Sequence, residues 1–449
     1  RMVGRGPLPA DELGAGIAEG AGRAAAYVEA RRWRRDPRRP STAIVLSGGG
    51  ANGAFSAGFA WRLLEVLQAC RAPGSGCQDA RIDLAAGTST GALIALLVDL
   101  AATPGEEARA RDVLADAYTC STNARLYCVQ SEWTWNLAVG EVKGLVRFDG
   151  IRALVAERVP ERVQQNGTER VAVSVDFQTG DLHAQSDQDP EDAAPWEVQI
   201  DAVMASIVEP VLAWPAERVG RDGRALPGTY LDGGVRSGLP LLEAVSRGAE
   251  RVLVLNNSGF EPTAVGPQRN AFQILTRTID LLSGQTRPTE VQLGELAALQ
   301  RRLLEHGVCE SRLAAVDPAI RGPFCERRFD VPRGGGGPAA AAVPSFVAPV
   351  PFREVASSWR TSWVFRPEVA VASSEGYAFD PRVMRPLFLL GVTTFQRRCR
   401  EVLSLLSIAG PVADAACALP EADAAARAGA AFAPLDGCLA RVDELRTCP

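Results

Sequence analysis

Gly87-Thr88-Ser89-Thr90-Gly91 follows the short apolar run Ile82-Asp83-Leu84-Ala85-Ala86 and leads into Ala92-Leu93-Ile94-Ala95-Leu96-Leu97-Val98. The run before it reads as a buried strand and the run after it as a buried helix. A serine at the apex of a sharp strand-to-helix turn is the local context of a nucleophile elbow. Gly87 and Gly91 serve that turn, because a side chain at either position would crowd the strand against the helix behind it. Ser89 is left at the mouth of the turn, at a helix N-terminus, where the dipole favours a developing negative charge.

Upstream, Thr42-Ala43-Ile44-Val45-Leu46 reads as a buried first strand and ends in Ser47-Gly48-Gly49-Gly50-Ala51-Asn52-Gly53. A helix over 54–69 follows, with Phe55, Phe59, Leu63, Val66 and Leu67 on its apolar face. A glycine-rich turn between strand and helix presents consecutive backbone N–H groups to an anion. The loop lacks the G-K-[ST] ending of a phosphate-binding loop and does not match G-x-G-x-x-G, so no nucleotide is expected. The oxyanion of an acyl-transfer intermediate fits better, given a candidate nucleophile some forty residues downstream.

Downstream, helices are expected over 106–117, 149–158 and 198–207, and strands over 171–175 and 251–255. Trp133-Thr134-Trp135-Asn136-Leu137 is expected to pack in the core or cover the site. Tyr230-Leu231-Asp232-Gly233-Gly234-Val235 ends one strand and begins a turn, and Leu239-Pro240 opens another helix. Two long helices, over 268–283 and 289–306, precede a Gly/Pro/Ala-rich loop over 333–351, a strand over 362–371 and one or two helices over 382–406. Short strands alternating with helices indicate an α/β fold whose parallel sheet is covered on both faces.

A serine hydroxyl is a weak nucleophile until a neighbour takes its proton. The chain has two histidines. His183 reads as part of a polar loop. His306 ends a helix just before Gly307, a capping pattern that needs no catalytic role. The order Ser89, Asp232, His306 matches that of α/β-hydrolase triads. The alternative is a dyad, with Asp232, at a strand end like Ser89, contacting the serine directly.

Taken together, the blocks at 47–53, 87–91 and 232–234 resemble, in order, spacing and strand-end context, the signature blocks of the patatin-like phospholipases. The resemblance runs from Ala43 to Asn256, with looser likeness over 365–391. It implies a three-layer α/β/α sandwich around a mainly parallel sheet, with helical C-terminal additions. It also implies a Ser–Asp dyad that hydrolyses acyl esters with no metal or cofactor. Carried onto this chain, Ser89 is the nucleophile, Asp232 its general base, and the amides of Gly48, Gly49 and Gly50 the oxyanion hole. Asn52, Gly53, Gly87, Gly91, Gly233 and Gly234 complete the motifs. Many members carry Arg or Lys where this chain has Asn52, which adds no charge. The implied substrate is a fatty-acyl ester at a lipid or membrane surface. A carboxylesterase or thioesterase of soluble acyl chains, or a lipid-binding protein with little turnover, are the alternatives.

Composition is compatible with this. Of the 449 residues, 47% are apolar and 22% charged, and the net charge of −5 argues against nucleic acid as the main partner. No apolar stretch reaches the roughly 18 residues of a membrane span. Residues 1–41, with the arginine-rich run from Arg31 to Arg39, read as a peripheral arm, 42–407 as the catalytic domain, and 408–449 as an Ala- and Cys-rich tail packed on it. The ten cysteines fall as sequence neighbours: Cys70 with Cys77, Cys120 with Cys128, Cys309 with Cys325, Cys399 with Cys417, Cys438 with Cys448. None is in a C-x-x-C pattern, so five local disulfides are expected, and with them an oxidising location, secreted or at a bacterial envelope.

Overall fold

The computed structural model describes residues 41–129, 146–160, 168–188, 196–210, 229–258, 287–301, 361–368, 379–440 and 446–447, with six single positions between them. The strands are β1 (Thr42–Leu46), β2 (Leu84–Thr88), β3 (Cys128–Val129), β4 (Val146–Arg147), β5 (Glu169–Asp176), β6 (Leu182–Ser186), β7 (Tyr230–Asp232), β8 (Arg251–Leu255), β9 (Ser362–Phe365) and β10 (Arg446–Thr447). The helices are α1 (Ala54–Cys70), α2 (Thr90–Ala102), α3 (Glu107–Thr119), α4 (Asn123–Leu126), α5 (Asp149–Arg158), α6 (Trp196–Ile207), α7 (Leu241–Ser246), α8 (Pro381–Arg397), α9 (Cys399–Leu405), α10 (Pro411–Ala418), α11 (Glu421–Ala430) and α12 (Leu435–Leu439). A further helical stretch covers 287–301.

The central sheet has the order β6-β5-β2-β1-β8-β9, parallel from β5 to β9, with β6 antiparallel at one edge. β3, β4 and β10 form a small separate sheet. The central strands are continuous apolar runs because both sheet faces are covered. Alternate residues of β1 enter different cores: Ile44 and Leu46 pack with α1, α2, α3 and α8, whereas Ala43 and Val45 pack with α7 and the 287–301 helix. The fold is thus the three-layer α/β/α arrangement with helical C-terminal additions.

The order of strands along β5 sets the geometry of the site. β2 pairs in parallel with residues 169–173 of β5 and ends at Thr88. β7 pairs antiparallel with residues 174–176 and ends at Asp232, opposite Ser174. β6 pairs with residues 171–175 and takes up the other edge of β5. β2 and β7 therefore lie end to end along one edge, pointing at each other, and the residues at their C-terminal ends meet.

α8 closes the other side of the molecule against α1. The helices touch backbone to backbone: a Cβ on Gly391 would lie 2.0 Å from the carbonyl oxygen of Phe55, and one on Gly58 1.9 Å from that of Phe388. The Phe59 ring sits 5.1 Å from that of Phe365 and 5.2 Å from that of Phe395. The helical tail packs on this pair, with Gln396 donating to the carbonyls of Ala416 and Leu419 at 2.8 and 2.7 Å.

Three expectations are corrected. His183 lies in β6, paired opposite Ser174, because Leu182–Ser186 completes the sheet edge; it is not in a loop. The strand at 362 stops at Phe365. The disulfides Cys70–Cys77 and Cys399–Cys417 are local as expected, but Cys120 bonds Cys438, across 318 residues, in place of Cys120–Cys128 and Cys438–Cys448. The reason lies in α8, whose Arg385 donates to the carbonyls of Thr119 and Ala433 at 2.9 and 2.6 Å and so draws the end of α3 and the tail together. Residues 1–40, Trp133–Leu137, the 333–351 loop, His306, Cys309 and Cys325 lie outside the described residues, as does the helix expected over 268–283 apart from Arg277. Among the described residues no helix is long and apolar enough to cross a membrane.

Replacing Cys120 and Cys438 together by serine is expected to destabilise the fold by about 2–5 kcal/mol, the usual loss for a native disulfide. The drop should appear in thermal melts of the oxidised proteins. It should vanish when wild type and variant are compared under full reduction.

Candidate active site

Ser89 sits between β2 and α2 with φ 57° and ψ −128°. A non-glycine residue held there stores on the order of 1–3 kcal/mol of strain, which the surroundings must over-determine. Close packing on both sides does so. A Cβ on Gly87 would lie 2.1 Å from the Gly91 carbonyl oxygen, and one on Gly91 2.2 Å from that of Leu46. The Ser89 amide donates to Ser206 Oγ at 2.9 Å, and Ser206 donates in turn to the Val173 carbonyl at 2.5 Å. Behind the elbow, Thr90 Oγ1 and the Tyr118 hydroxyl share a 2.5 Å hydrogen bond, with Gly53 packed against Thr90.

The glycine loop lies directly over the serine. A Cβ on Gly48 would be 3.1 Å from Ser89 Cβ. Gly49 and Gly50 take φ of 147° and 53°, a path open in practice only to glycine. Asn257, fully buried at the end of β8, clamps the loop. Its Nδ2 donates to the Ser47 carbonyl at 2.8 Å, its amide donates to Ser47 Oγ at 2.8 Å, and its Oδ1 accepts from Ser56 Oγ at 2.5 Å. The Gly48 amide donates to the Gly238 carbonyl at 3.2 Å. No backbone bond from the amides of Gly49 or Gly50 occurs among the described residues. Asn52 is buried beneath the loop, its side chain against Gly49 and Gly376.

Asp232 ends β7 and is 2% exposed. Its Oδ1 accepts from the Gly234 amide at 2.7 Å, and Gly233 packs against the Val173 carbonyl and Thr88. Burial raises its pKa well above the ordinary carboxylate range, and the nearby charge of Glu209 raises it further. The Ser89 hydroxyl and the Gly234 amide act the other way. The Ser89 hydroxyl is near enough to favour the charged carboxylate, but among the described residues Asp232 Oδ2 makes no hydrogen bond. Such looseness is common at sites without a bound substrate. His183 is not among the cleft-lining residues; its ring lies 5.6 Å from that of Tyr230.

Ser89, Asp232 and Gly48–Gly50 line one cleft. Apolar lining comes from α2, α3, α4 and α5, through Leu93, Tyr118, Leu126, Ile151 and Leu154, with Phe148 just before α5. Ser206, Glu209, Asn257 and Arg287 escape a motif-based reading, because each is a single polar residue with no local pattern. The one available signal was Asn256-Asn257 directly after the apolar strand over 251–255, since ligands of α/β sheets gather at the carboxyl ends of strands.

Glu209→Gln removes a negative charge that disfavours ionisation of Asp232, so the Asp232 pKa should fall. Infrared titration of the carboxyl band, with Asp232→Asn to assign it, is expected to show the band ionising at lower pH in Glu209→Gln than in wild type. An unchanged midpoint would show that the two carboxyls are not coupled.

No curated protein matches the chain. The solved structure of VipD from Legionella pneumophila aligns with 87% of this chain and 74% of its own at 14% identity, but a TM-score of 0.27 carries no argument. The model of the patatin-like phospholipase family matches residues 44–245, from β1 to α7. That span contains the glycine loop, the elbow and the Asp-Gly-Gly turn, and over it the chain is similar to the patatin-like phospholipase family.

Proposed function

We propose that the protein is a serine acyl hydrolase that cleaves fatty-acyl esters of lipids with a Ser89–Asp232 dyad. The observation that carries this reading is the end-to-end meeting of β2 and β7 along β5, which sets a strained serine beside a buried carboxylate under a glycine loop. Similarity to a phospholipase family over residues 44–245 supports lipid esters as the substrate class. The apolar wall supports a long acyl chain over a short one.

In this mechanism Asp232 takes the Ser89 proton as Oγ bonds to the ester carbonyl carbon. The carbonyl oxygen becomes an oxyanion and accepts hydrogen bonds from the Gly49 and Gly50 amides, donors fixed in place before the reaction. The carbon–alkoxide bond then breaks, and the alcohol leaves with the proton held by Asp232. Water attacks the acyl-enzyme, Asp232 again takes a proton, and Ser89 is restored as the fatty acid departs. Burial that disfavours the charged carboxylate makes that charged form a stronger base than a solvated one, which suits this role. The disulfides support action in an oxidising compartment, secreted or at an envelope.

Ser89→Ala and Asp232→Asn are each expected to lower turnover at least about a thousandfold while the proteins stay folded. The assay is mass spectrometry of fatty acid released from phospholipid vesicles, beside short-chain soluble esters. Undiminished turnover in either folded variant overturns the dyad. Hydrolysis of the short esters alone moves the protein to the soluble-esterase reading.

A further inference from the structure

The residues that line the cleft do not all rest on the central sheet. Ser89 does: β2 pairs in mid-sheet, and the serine amide is bonded to Ser206. Ser121, Leu126 and Tyr127 line the same cleft from the stretch between α3 and β3. The only regular element in that stretch is α4, a helix of four residues. An isolated helix needs roughly 12–15 residues to be even marginally stable in water, so α4 does not hold itself in place. β3, which follows it, is two residues long, as are its partners β4 and β10. Strand pairs this small are marginal on their own.

Both ends of the stretch are fastened to the end of the chain. Cys120, directly before Ser121, is disulfide-bonded to Cys438, and both residues are buried. Cys128, directly after Tyr127, pairs with Arg446 in the parallel ladder that also joins Val129 to Thr447. Arg385 adds to the first fastening through the carbonyls of Thr119 and Ala433. Between the two, the Tyr127 ring sits edge-on to Phe148 at 5.1 Å and to Phe379 at 5.7 Å, and both of those residues line the cleft. Asn123 Oδ1 accepts from the Phe379 amide at 2.9 Å. A displacement of 121–127 therefore moves an aromatic cluster of the cleft, not one side chain.

We propose that Cys438 and the Arg446–Thr447 strand are positioning residues for substrate selection: by clasping both ends of 121–127 they fix the apolar part of the cleft at the dimensions a long acyl chain needs. The proposal rests on the acyl-hydrolase reading for its reaction, but chain binding is testable without turnover. The serine elbow is held by other elements, so loosening the clasp acts on which chain is accepted more than on the ester chemistry.

The test compares the oxidised wild type with Cys120→Ser/Cys438→Ser, each below its own melting temperature. Cys399→Ser/Cys417→Ser is the control, since that bridge touches neither end of 121–127. The readout is the ratio of kcat/KM for p-nitrophenyl palmitate to that for p-nitrophenyl butyrate in the same detergent micelles. Cys120→Ser/Cys438→Ser is expected to lower the ratio about tenfold, and the control to leave it unchanged. A merely structural role lowers both substrates alike and leaves the ratio as it was, and that result overturns the proposal, as does an equal fall in the control. Arg385→Met keeps the disulfide while removing the two carbonyl contacts, so it decides the matter if the double variant does not fold. A smaller fall in the ratio is then expected, and an unchanged ratio overturns the proposal. A second arm measures the affinity of Ser89→Ala for the 18-carbon fluorescent parinaric acid, with and without Cys120→Ser/Cys438→Ser. Weaker binding without the bridge supports the clasp even if the Ser89 mechanism fails, and equal affinity overturns it.

Discussion

The site depends on one edge of β5 being shared by two strands that run toward each other. A parallel strand and an antiparallel one cannot both continue along the same edge, so each must stop where they meet. Their terminal residues are Thr88 and Asp232, and the chain turns sharply after both. The separation of Ser89 and Asp232 is therefore set by hydrogen-bond register rather than by loop conformation. Sites built on such elements are held more tightly than sites on loops alone. The strained dihedrals of Ser89 persist because the neighbouring strand, helix and glycine loop leave no room for relaxation.

Electrostatics follows from that placement. A carboxyl brought to the inner end of a covered sheet loses its water, and the charged form suffers for it. Here a second carboxyl, Glu209, adds to the effect, while one backbone amide and one hydroxyl offset part of it. The same Glu209 charge also raises the pKa of Tyr127, which burial has already raised more strongly.

Much of this was legible in the sequence because it is carried by residues whose local geometry is demanding. Gly49, Gly50, Gly87 and Gly91 stand where a side chain cannot, and such positions leave a readable pattern. The apolar face of α1 and the buried runs at β1 and β8 follow from periodicity. What was not legible is carried by distance. Asn257 clamps a loop about 210 residues away in the chain, and Ser206 holds the Ser89 amide through a contact no spacing rule encodes. The cysteines mislead for the same reason: sequence proximity predicts Cys120 with Cys128, but α8 brings Cys438 to Cys120 instead. His183 reads as a loop residue because a short polar edge strand has little apolar alternation to reveal it.

The backbone-to-backbone crossing of α1 and α8 has a consequence for how the chain acquires its structure. α1 opens directly from the glycine loop, and its aromatic residues Phe55 and Phe59 are covered by residues more than 300 positions later. The segment that the family model matches, residues 44–245, ends well before either α8 or the β9 strand that flanks β8. Expressed alone, it would expose the apolar flank of α1 to water and leave β8 outside its boundary. Contacts of such long range are also entropically slow to form. The loop over Ser89 thus rests on a helix whose far flank is covered only by residues from the last fifth of the chain.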